Sequence, residues 1–324
     1  MLISHFKYDV IVIGAGHAGC EAALATARRG AKTLLVTSNM NNVALLPCNP
    51  AIGGPGKGHV AREIDALGGE LAKNTDKCTL HIRMLNTSKG PAMWALRAQV
   101  DKNRYVREML NTIEKEPNLT LLQEMVCQLL IKEDTIEGVV TQGGMRIYAP
   151  AVILTAGTFL DGKIYIGKVY FSSGRAGELA SIELANQLKE LDFKTMRFNT
   201  STPPRINRRS IDFAELGEQK SASEPLAFSF DSEKKIYNEH SVYITRTNIK
   251  TQQVIEKYLA QVSLLSGAVD STSARYCPTI EDKVVRFPHH NTHQLFLEPE
   301  SSNGEEIYVQ GFFTNLPPVA QLEA

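Results

Sequence analysis

The chain has 324 residues, with 35 basic and 35 acidic side chains and 43% hydrophobic residues. That length holds about two domains and a large core, and the balanced charge excludes a global electrostatic case for nucleic acid, leaving only local patches. No apolar run approaches the roughly 18 residues a transmembrane helix needs, and the N-terminus enters a strand without the charged and apolar regions of a signal peptide.

The first element in chain order is the apolar, β-branched strand Val10-Ile11-Val12-Ile13. It runs into Gly14-Ala15-Gly16-His17-Ala18-Gly19 and an Ala-rich helix, Cys20 to Arg29, which Gly30 stops. A second strand, Thr33 to Val36, completes a strand–turn–helix–strand unit that reads as a dinucleotide cradle. Gly14 permits the tight turn, Gly16 lets the backbone approach a pyrophosphate, and Gly19 brings helix and strand close. The second strand ends in Thr37-Ser38-Asn39 rather than the acid that accepts from ribose hydroxyls. That departure argues against an ordinary NAD dehydrogenase and assigns the ribose to hydroxyl and amide side chains.

A loop rich in Asn, Pro and Gly follows, from Ser38 to Gly58. Its Gly53-Gly54-Pro55-Gly56-Lys57-Gly58 fails as a nucleoside-triphosphate loop, because Ala51 stands at the leading glycine and Gly58 at the hydroxyl position. Cys48 lies among turn formers, which predicts an exposed loop thiol whose reactivity depends on a stabilised thiolate; a buried apolar cysteine is the plainer alternative. A helix is expected at about 59–71. A second is expected from Lys89 to Glu116, carrying Arg97, Lys102, Arg104 and Arg107 with Trp94 and Tyr105, either as a solvated face or as a contact for RNA phosphates and bases. Residues 119–148 alternate as strands, and Ala151 to Leu154 form a strand ending in the small turn Thr155-Ala156-Gly157. This segment resembles the late strand that passes near the cofactor in flavoproteins of the two-dinucleotide-fold type, and the resemblance favours FAD over NAD as tenant of the first cradle.

Composition shifts at about residue 197. The five cysteines, Cys20, Cys48, Cys78, Cys127 and Cys277, show no C-x-x-C spacing and read as free thiols of a reducing cytoplasm. Cys277 sits between Arg275 and Lys283, which favour a thiolate, with Glu281 and Asp282 nearby for proton transfer; a charged surface turn is the alternative. His289, His290 and His293 lie beside Pro288 and Asn291, so a solvated loop is expected rather than a metal site.

Taken together, Gly14 to Ala23, Cys48 to His59, Glu63 to Gly69, Lys89 to Ala92, Thr155 to Lys163, Ser173 to Gly177, Thr202 to Arg205 and Tyr276 to Arg286 resemble the GidA/MnmG flavoproteins, the tRNA uridine 5-carboxymethylaminomethyl modification enzymes. The resemblance runs from about residue 8 to 318. It implies an α/β protein with a Rossmann-like FAD-binding domain of the two-dinucleotide-fold type, interrupted by an inserted α/β domain. The expected division is 1–197, 198–299 (NAD-contacting) and 300–324, the last beginning a return to the first domain. The implied activity is addition of an aminomethyl-type group at C5 of the tRNA wobble uridine, with FAD, NADH, a folate-derived carbon and a partner GTPase, in a cytoplasmic homodimer.

Gly14, Ala15, Gly16, His17, Ala18 and Gly19 match the family's FAD loop, and Val126 and Ser181 match other FAD-contacting positions. Ser273 to Phe287, with Arg275 and Tyr276, match its NAD-contacting stretch, and Cys48 and Cys277 match its two functional cysteines. The stretch opens Ser273-Ala274 where the family has Gly-Pro. The chain also stops near the middle of the family's usual length, so weak FAD retention and incomplete activity are expected of it. The rival readings are a folate- and FAD-dependent tRNA uracil-5-methyltransferase, which keeps an acid after the second strand, and a noncatalytic RNA- or partner-binding remnant.

Overall fold

Strand β1 (Val10–Ile13) and β2 (Thr33–Thr37) run parallel on either side of helix α1 (His17–Arg28), in a computed structural model that describes residues 7–237, 239–263, 272–273 and 278–324. Helix α1 buries Cys20, Ala23, Leu24 and Ala27, the i, i+3, i+4, i+7 face of an amphipathic helix. It ends as expected at Gly30, where a φ of +89° accompanies bonds from the amides of Gly30 and Ala31 back to Ala27 and Thr26. That is the reversed-hand closure that glycine makes at helix ends.

The next stretch adds β3 (Ala51–Gly53), α2 (Lys57–Ala66), α3 (Leu71–Cys78), β4 (Thr79–Leu85), β5 (Ala95–Val100) and α4 (Lys102–Glu114). The helix expected at 59–71 is thus two helices, broken at Gly68 (φ +87°), with the Glu21 carboxylate accepting from the amides of Glu70 and Leu71 at the start of α3. The single helix expected over 89–116 is a correction. Residues 95–100 form the central strand of an antiparallel sheet ordered β3-β5-β4, and the helix begins only at Lys102. Ala, Leu, Arg and Gln are good helix formers, but pairing with two strands outweighs that weak preference. Asp101 supplies the start signal, its carboxylate accepting from the Arg104 amide at 2.9 Å.

Strands β6 (Leu119–Gln123), β7 (Val126–Lys132), β8 (Thr135–Thr141), β9 (Arg146–Tyr148) and β10 (Ala151–Leu154) follow, in line with the alternation read over 119–148. The order β10-β1-β2-β6 makes a four-stranded parallel sheet, the Rossmann-like core. Its strand ends carry the cradle, as carboxyl ends do in open α/β sheets. A hairpin, β11 (Lys163–Ile166) and β12 (Val169–Ser172), then leads to α5 (Ile182–Glu190).

The remaining elements are β13 (Phe198–Asn199), β14 (Arg205–Asn207), β15 (Gly217–Gln219), β16 (Val242–Arg246), α6 (Ile249–Tyr258), β17 (Thr272–Ser273), α7 (Ile280–Arg286), β18 (Gln294–Pro299), β19 (Glu306–Gln310) and α8 (Pro318–Glu323). Five of them form an antiparallel sheet ordered β14-β19-β18-β16-β15. Its core joins Leu295, Leu297, Ile307 and Val309 to Ile255, Ile280, Val284 and Ala320 of the helices.

This sheet is tied to β5 and the start of α4 by buried polar contacts. Arg97 donates to both oxygens of Glu298 (2.8 and 3.0 Å), and Lys102 pairs with Glu300 at 2.9 Å. Gln99 bonds the Pro299 carbonyl, and Asp101 accepts from the amide and hydroxyl of Ser302. Removing one member of a buried pair leaves the other charge uncompensated. Arg97→Ala is therefore expected to lower stability by about 3 kcal/mol in urea titrations; a loss below about 0.5 kcal/mol would mean that Glu298 is already well hydrated.

Candidate functional site

The cradle glycines divide into two kinds. A Cβ at Gly14 (φ +96°) would stand 2.7 Å from the Thr155 carbonyl oxygen, and one at Gly19 only 1.8 Å from that of Gly14. Both are demanded by packing at the crossing of β1, α1 and the turn after β10. At Gly16 a Cβ would meet nothing within 4 Å among the described residues. Gly16 is the N-cap of α1, and no side chain caps that end. Open space thus faces a helix N-terminus, where orphan amides and the helix dipole favour an anion. Thr155 holds the floor, its hydroxyl shared between the carbonyls of Ile13 (2.8 Å) and Gly14 (2.9 Å).

Ala15 is buried and Ala18 exposed. The His17 ring turns towards Tyr105, with ring centroids 5.7 Å apart. Burial, aided by Lys57, holds its pKa down to about 4, so the imidazole is neutral at pH 7 and adds no charge of its own beside the helix N-terminus. Its Nε2 is buried without a partner among the described residues. Val126 and Ser181 come together, the Ser181 hydroxyl bonding the Val126 carbonyl at 3.4 Å. The hydroxyl and amide expected at the ribose are engaged locally: the Thr37 hydroxyl donates to the Asn39 carbonyl, and the Asn39 side chain accepts from the Asn41 amide.

Cys48 lies on a loop, as expected, but its thiol is half-buried rather than exposed, and Sγ donates to the Ser201 carbonyl at 3.4 Å. Burial pushes the thiol above its ordinary value, while Tyr308, Arg205 and Lys57 act against that rise. The resting group is thus a thiol. Arg205 closes the loop by donating to the carbonyls of Pro47 (3.0 Å) and Cys48 (3.2 Å), with its Nε on Glu300 at 2.8 Å. Lys57 is exposed as a residue, yet its ammonium turns inward to donate to the Ala51 carbonyl (3.0 Å), and burial of that ammonium, together with Arg97, holds its pKa down to about 8. Neither Lys57 nor Tyr308 stood out in the sequence as a site residue. Arg205 was visible only as the end of a matching motif.

Arg275, Tyr276 and Cys277 lie outside the described residues, so their expected roles have no geometry here. The description resumes at Pro278. Thr279 opens α7 with a reciprocal cap to Asp282, and the Ile280 amide donates to the Phe313 carbonyl at 2.7 Å. Glu281 is fully buried, with one carboxylate oxygen accepting from the Thr314 hydroxyl (2.5 Å) and the Asn315 amide (2.8 Å). Thr314 forms an antiparallel bridge with Thr202, the residue after the Cys48 acceptor Ser201. The Cys48 loop and the first turn of α7 therefore belong to one hydrogen-bonded network.

Two further expectations change. Tyr105 is completely buried, so it offers no stacking face, and Arg97 and Lys102 are held in ion pairs; Trp94 (44%), Arg104 and Arg107 stay exposed. His289 and His290 are exposed on the expected loop, and among the described residues no group of three His, Cys, Asp or Glu side chains is placed to hold a metal ion. The glycine geometry carries its own check. Gly19→Ala is expected to cost about 1–3 kcal/mol of stability by chemical denaturation, because backbone rather than a flexible side chain occupies the added methyl's position; unchanged stability would contradict the close crossing.

The chain matches the family described as "Glucose inhibited division protein A" over residues 9–324. Among curated relatives it is 54% identical over 311 residues to the "tRNA uridine 5-carboxymethylaminomethyl modification enzyme MnmG" of Geobacillus thermodenitrificans, covering 96% of this chain and 49% of that protein. The relative of the same name from Bacillus subtilis is 51% identical over 315 residues, covering 97% and 50%. The chain thus spans about half the length of the curated relatives it matches. Among solved structures, GidA of Aquifex aeolicus in its form I crystal superposes with a TM-score of 0.92 at 43% identity, covering 98% of this chain and 54% of that one. With the cradle and the Cys48 loop set in that same fold, the chain belongs to the GidA family.

Proposed function

We propose that this chain carries the FAD cradle and the reactive-thiol segments of an enzyme that modifies C5 of the tRNA wobble uridine, acting with a partner GTPase. The observation that carries this reading is the 54% identity, along nearly the whole chain, to a relative named for that modification. The residues fit FAD: Gly16 leaves open space at an uncapped helix N-terminus, where a pyrophosphate gains from amides and dipole. Gly14, Ala15, Gly16, His17, Ala18 and Gly19 would line the pyrophosphate, with Val126 and Ser181 further along the bound dinucleotide. The bound flavin would supply redox chemistry.

C5 of uracil is a poor nucleophile until a thiolate adds at C6. One of Cys48 and Cys277 makes that addition in this reading; C5 then forms a bond to the incoming one-carbon unit, and the other cysteine takes the C5 proton as the C6–sulfur bond breaks and the thiolate leaves. Use of NADH through Ser273 to Phe287, with Arg275 and Tyr276, belongs to the same proposal, as do a homodimer and a cytoplasmic location. No helix among the described residues is long and apolar enough to cross a membrane. Division of the chain near residues 197 and 299 is also part of the reading, although β19 shares a sheet with β18 and favours placing the second boundary later.

Gly16→Ala should separate fold from cofactor. Stability is expected to change by less than about 1 kcal/mol, since the methyl meets open space at an N-cap, while the visible flavin spectrum of the purified protein is lost. A folded but colourless parent chain would instead support a remnant without catalysis. In cells whose own copy is deleted, the intact gene carrying Cys48→Ser or Cys277→Ser is expected to leave the wobble uridine unmodified, as read by nucleoside analysis of tRNA. Full modification by either variant would overturn that cysteine's role.

A further inference from the structure

Tyr308 is completely buried on β19, and among the described residues its hydroxyl has no hydrogen-bond partner. A buried hydroxyl left unpaired costs about 1–3 kcal/mol, so its persistence calls for a partner in some working state. Tyr308 and Cys48 meet at one guanidinium, that of Arg205, and are near enough that the phenol lowers the proton affinity of the thiol while Cys48 raises that of the phenol. Strand register fixes it there, because Tyr308 pairs with Arg205 on one side and Glu298 on the other. The Arg205 guanidinium also lies 4.9 Å from the centre of the Tyr308 ring, while gripping the carbonyls of Pro47 and Cys48.

We propose that Tyr308 is a positioning residue for Cys48, its hydroxyl donating a hydrogen bond to the Cys48 thiolate whenever that thiolate forms. The inference rests on Cys48 being a functional thiol, as proposed above. Either role open to Cys48 passes through its thiolate: a nucleophile must lose its proton before attack, and a proton carrier must lose it during turnover. In the resting state Cys48 spends its proton on the Ser201 carbonyl. Once that proton leaves, sulfur becomes an acceptor in a half-buried place, and a neutral donor beside it lowers the cost of the charge.

Tyr308 suits that task because it stays protonated. Burial first, then the charges of Cys48 and Glu298, hold its hydroxyl far above the ordinary tyrosine range. It can therefore donate and does not compete for the proton. The charged groups around the pair are Lys57 from α2, Arg97 from β5, Arg205 from β14 and Glu298 from β18. Glu298 is matched by Arg97, and Arg205 by Glu300. Lys57 adds positive potential but donates to the Ala51 carbonyl, so the directional bond to sulfur falls to Tyr308.

The test is the pH profile of iodoacetamide alkylation at Cys48, followed by peptide mass spectrometry on the full chain. Tyr308→Phe keeps the ring and removes only the donor. Its expected effect is an upward shift of the alkylation midpoint, with a roughly tenfold slower rate at mildly alkaline pH, equivalent to one pKa unit. An unmoved or lowered midpoint would overturn the inference. Should circular dichroism show Tyr308→Phe to be unfolded, 3-fluorotyrosine placed at position 308 decides. Its more acidic hydroxyl is a stronger donor and must shift the midpoint downward, whereas an unmoved or raised midpoint refutes the bond. This readout needs no tRNA, so a shifted profile beside unmodified tRNA would sink the functional reading and leave the inference standing.

Discussion

Two carboxylates at the end of one strand hold this structure in register. Glu298 and Glu300 lie one strand repeat apart, and both are almost completely buried. Glu298 takes Arg97, while Glu300 takes Lys102 from one side and Arg205 from the other. The antiparallel sheet is thereby fastened to β5 and α4, and the same Arg205 fastens the Cys48 loop. Buried ion pairs contribute little net stability relative to apolar packing. Their value here is directional, because each carboxylate accepts only a cation brought to one place, and that fixes how sheet and cradle layer meet. The site inherits the constraint: Tyr308 lies opposite Glu298 on the next strand, and Arg205 lies opposite Tyr308 on the strand beyond.

The cradle was legible in the sequence because everything it needs is local. The apolar run of β1, the glycine turn, the Ala-rich helix and the Gly30 stop lie within about two dozen residues, and each follows from a short-range preference. The parallel partner strand Ala151 to Leu154 was also visible as an apolar run, although its neighbour in the sheet is β1. The failure at 89–116 has the opposite cause. Residues 95–100 have helix-forming side chains, and only pairing with β3 and β4 makes them a strand. Tyr105 was then misjudged along with it. On a helix capped by Asp101 and starting at Lys102 it shares the buried face with Met109 and Ile113, which leaves Arg104 and Arg107 exposed.

Cys48 shows how far spacing can reach. Turn formers around it correctly indicated a loop, but the chemistry of its thiol is set by groups distant in sequence. Ser201 accepts its proton from 153 residues away, Arg205 grips its carbonyl from 157 away, and Tyr308 approaches from yet another strand. No local pattern encodes such a cluster. The matching segments Cys48 to His59 and Thr202 to Arg205 marked two of its components, without saying that they meet.

The same sorting explains what a Gly-rich fingerprint does and does not say. Gly14 and Gly19 are explained by the protein's own backbone, since β1, α1 and the Thr155 turn leave no room for a methyl group at either position. Had all three glycines been of that kind, the motif would record tight packing and nothing about a ligand. Gly16 differs because neither crowding nor a left-handed φ demands it: the φ there is −69° and the space beyond is open. A residue kept small beside empty space, at a helix end with no side-chain cap, makes physical sense when something outside the chain must approach that backbone. The case for a bound dinucleotide therefore rests on the one glycine that the fold itself does not require.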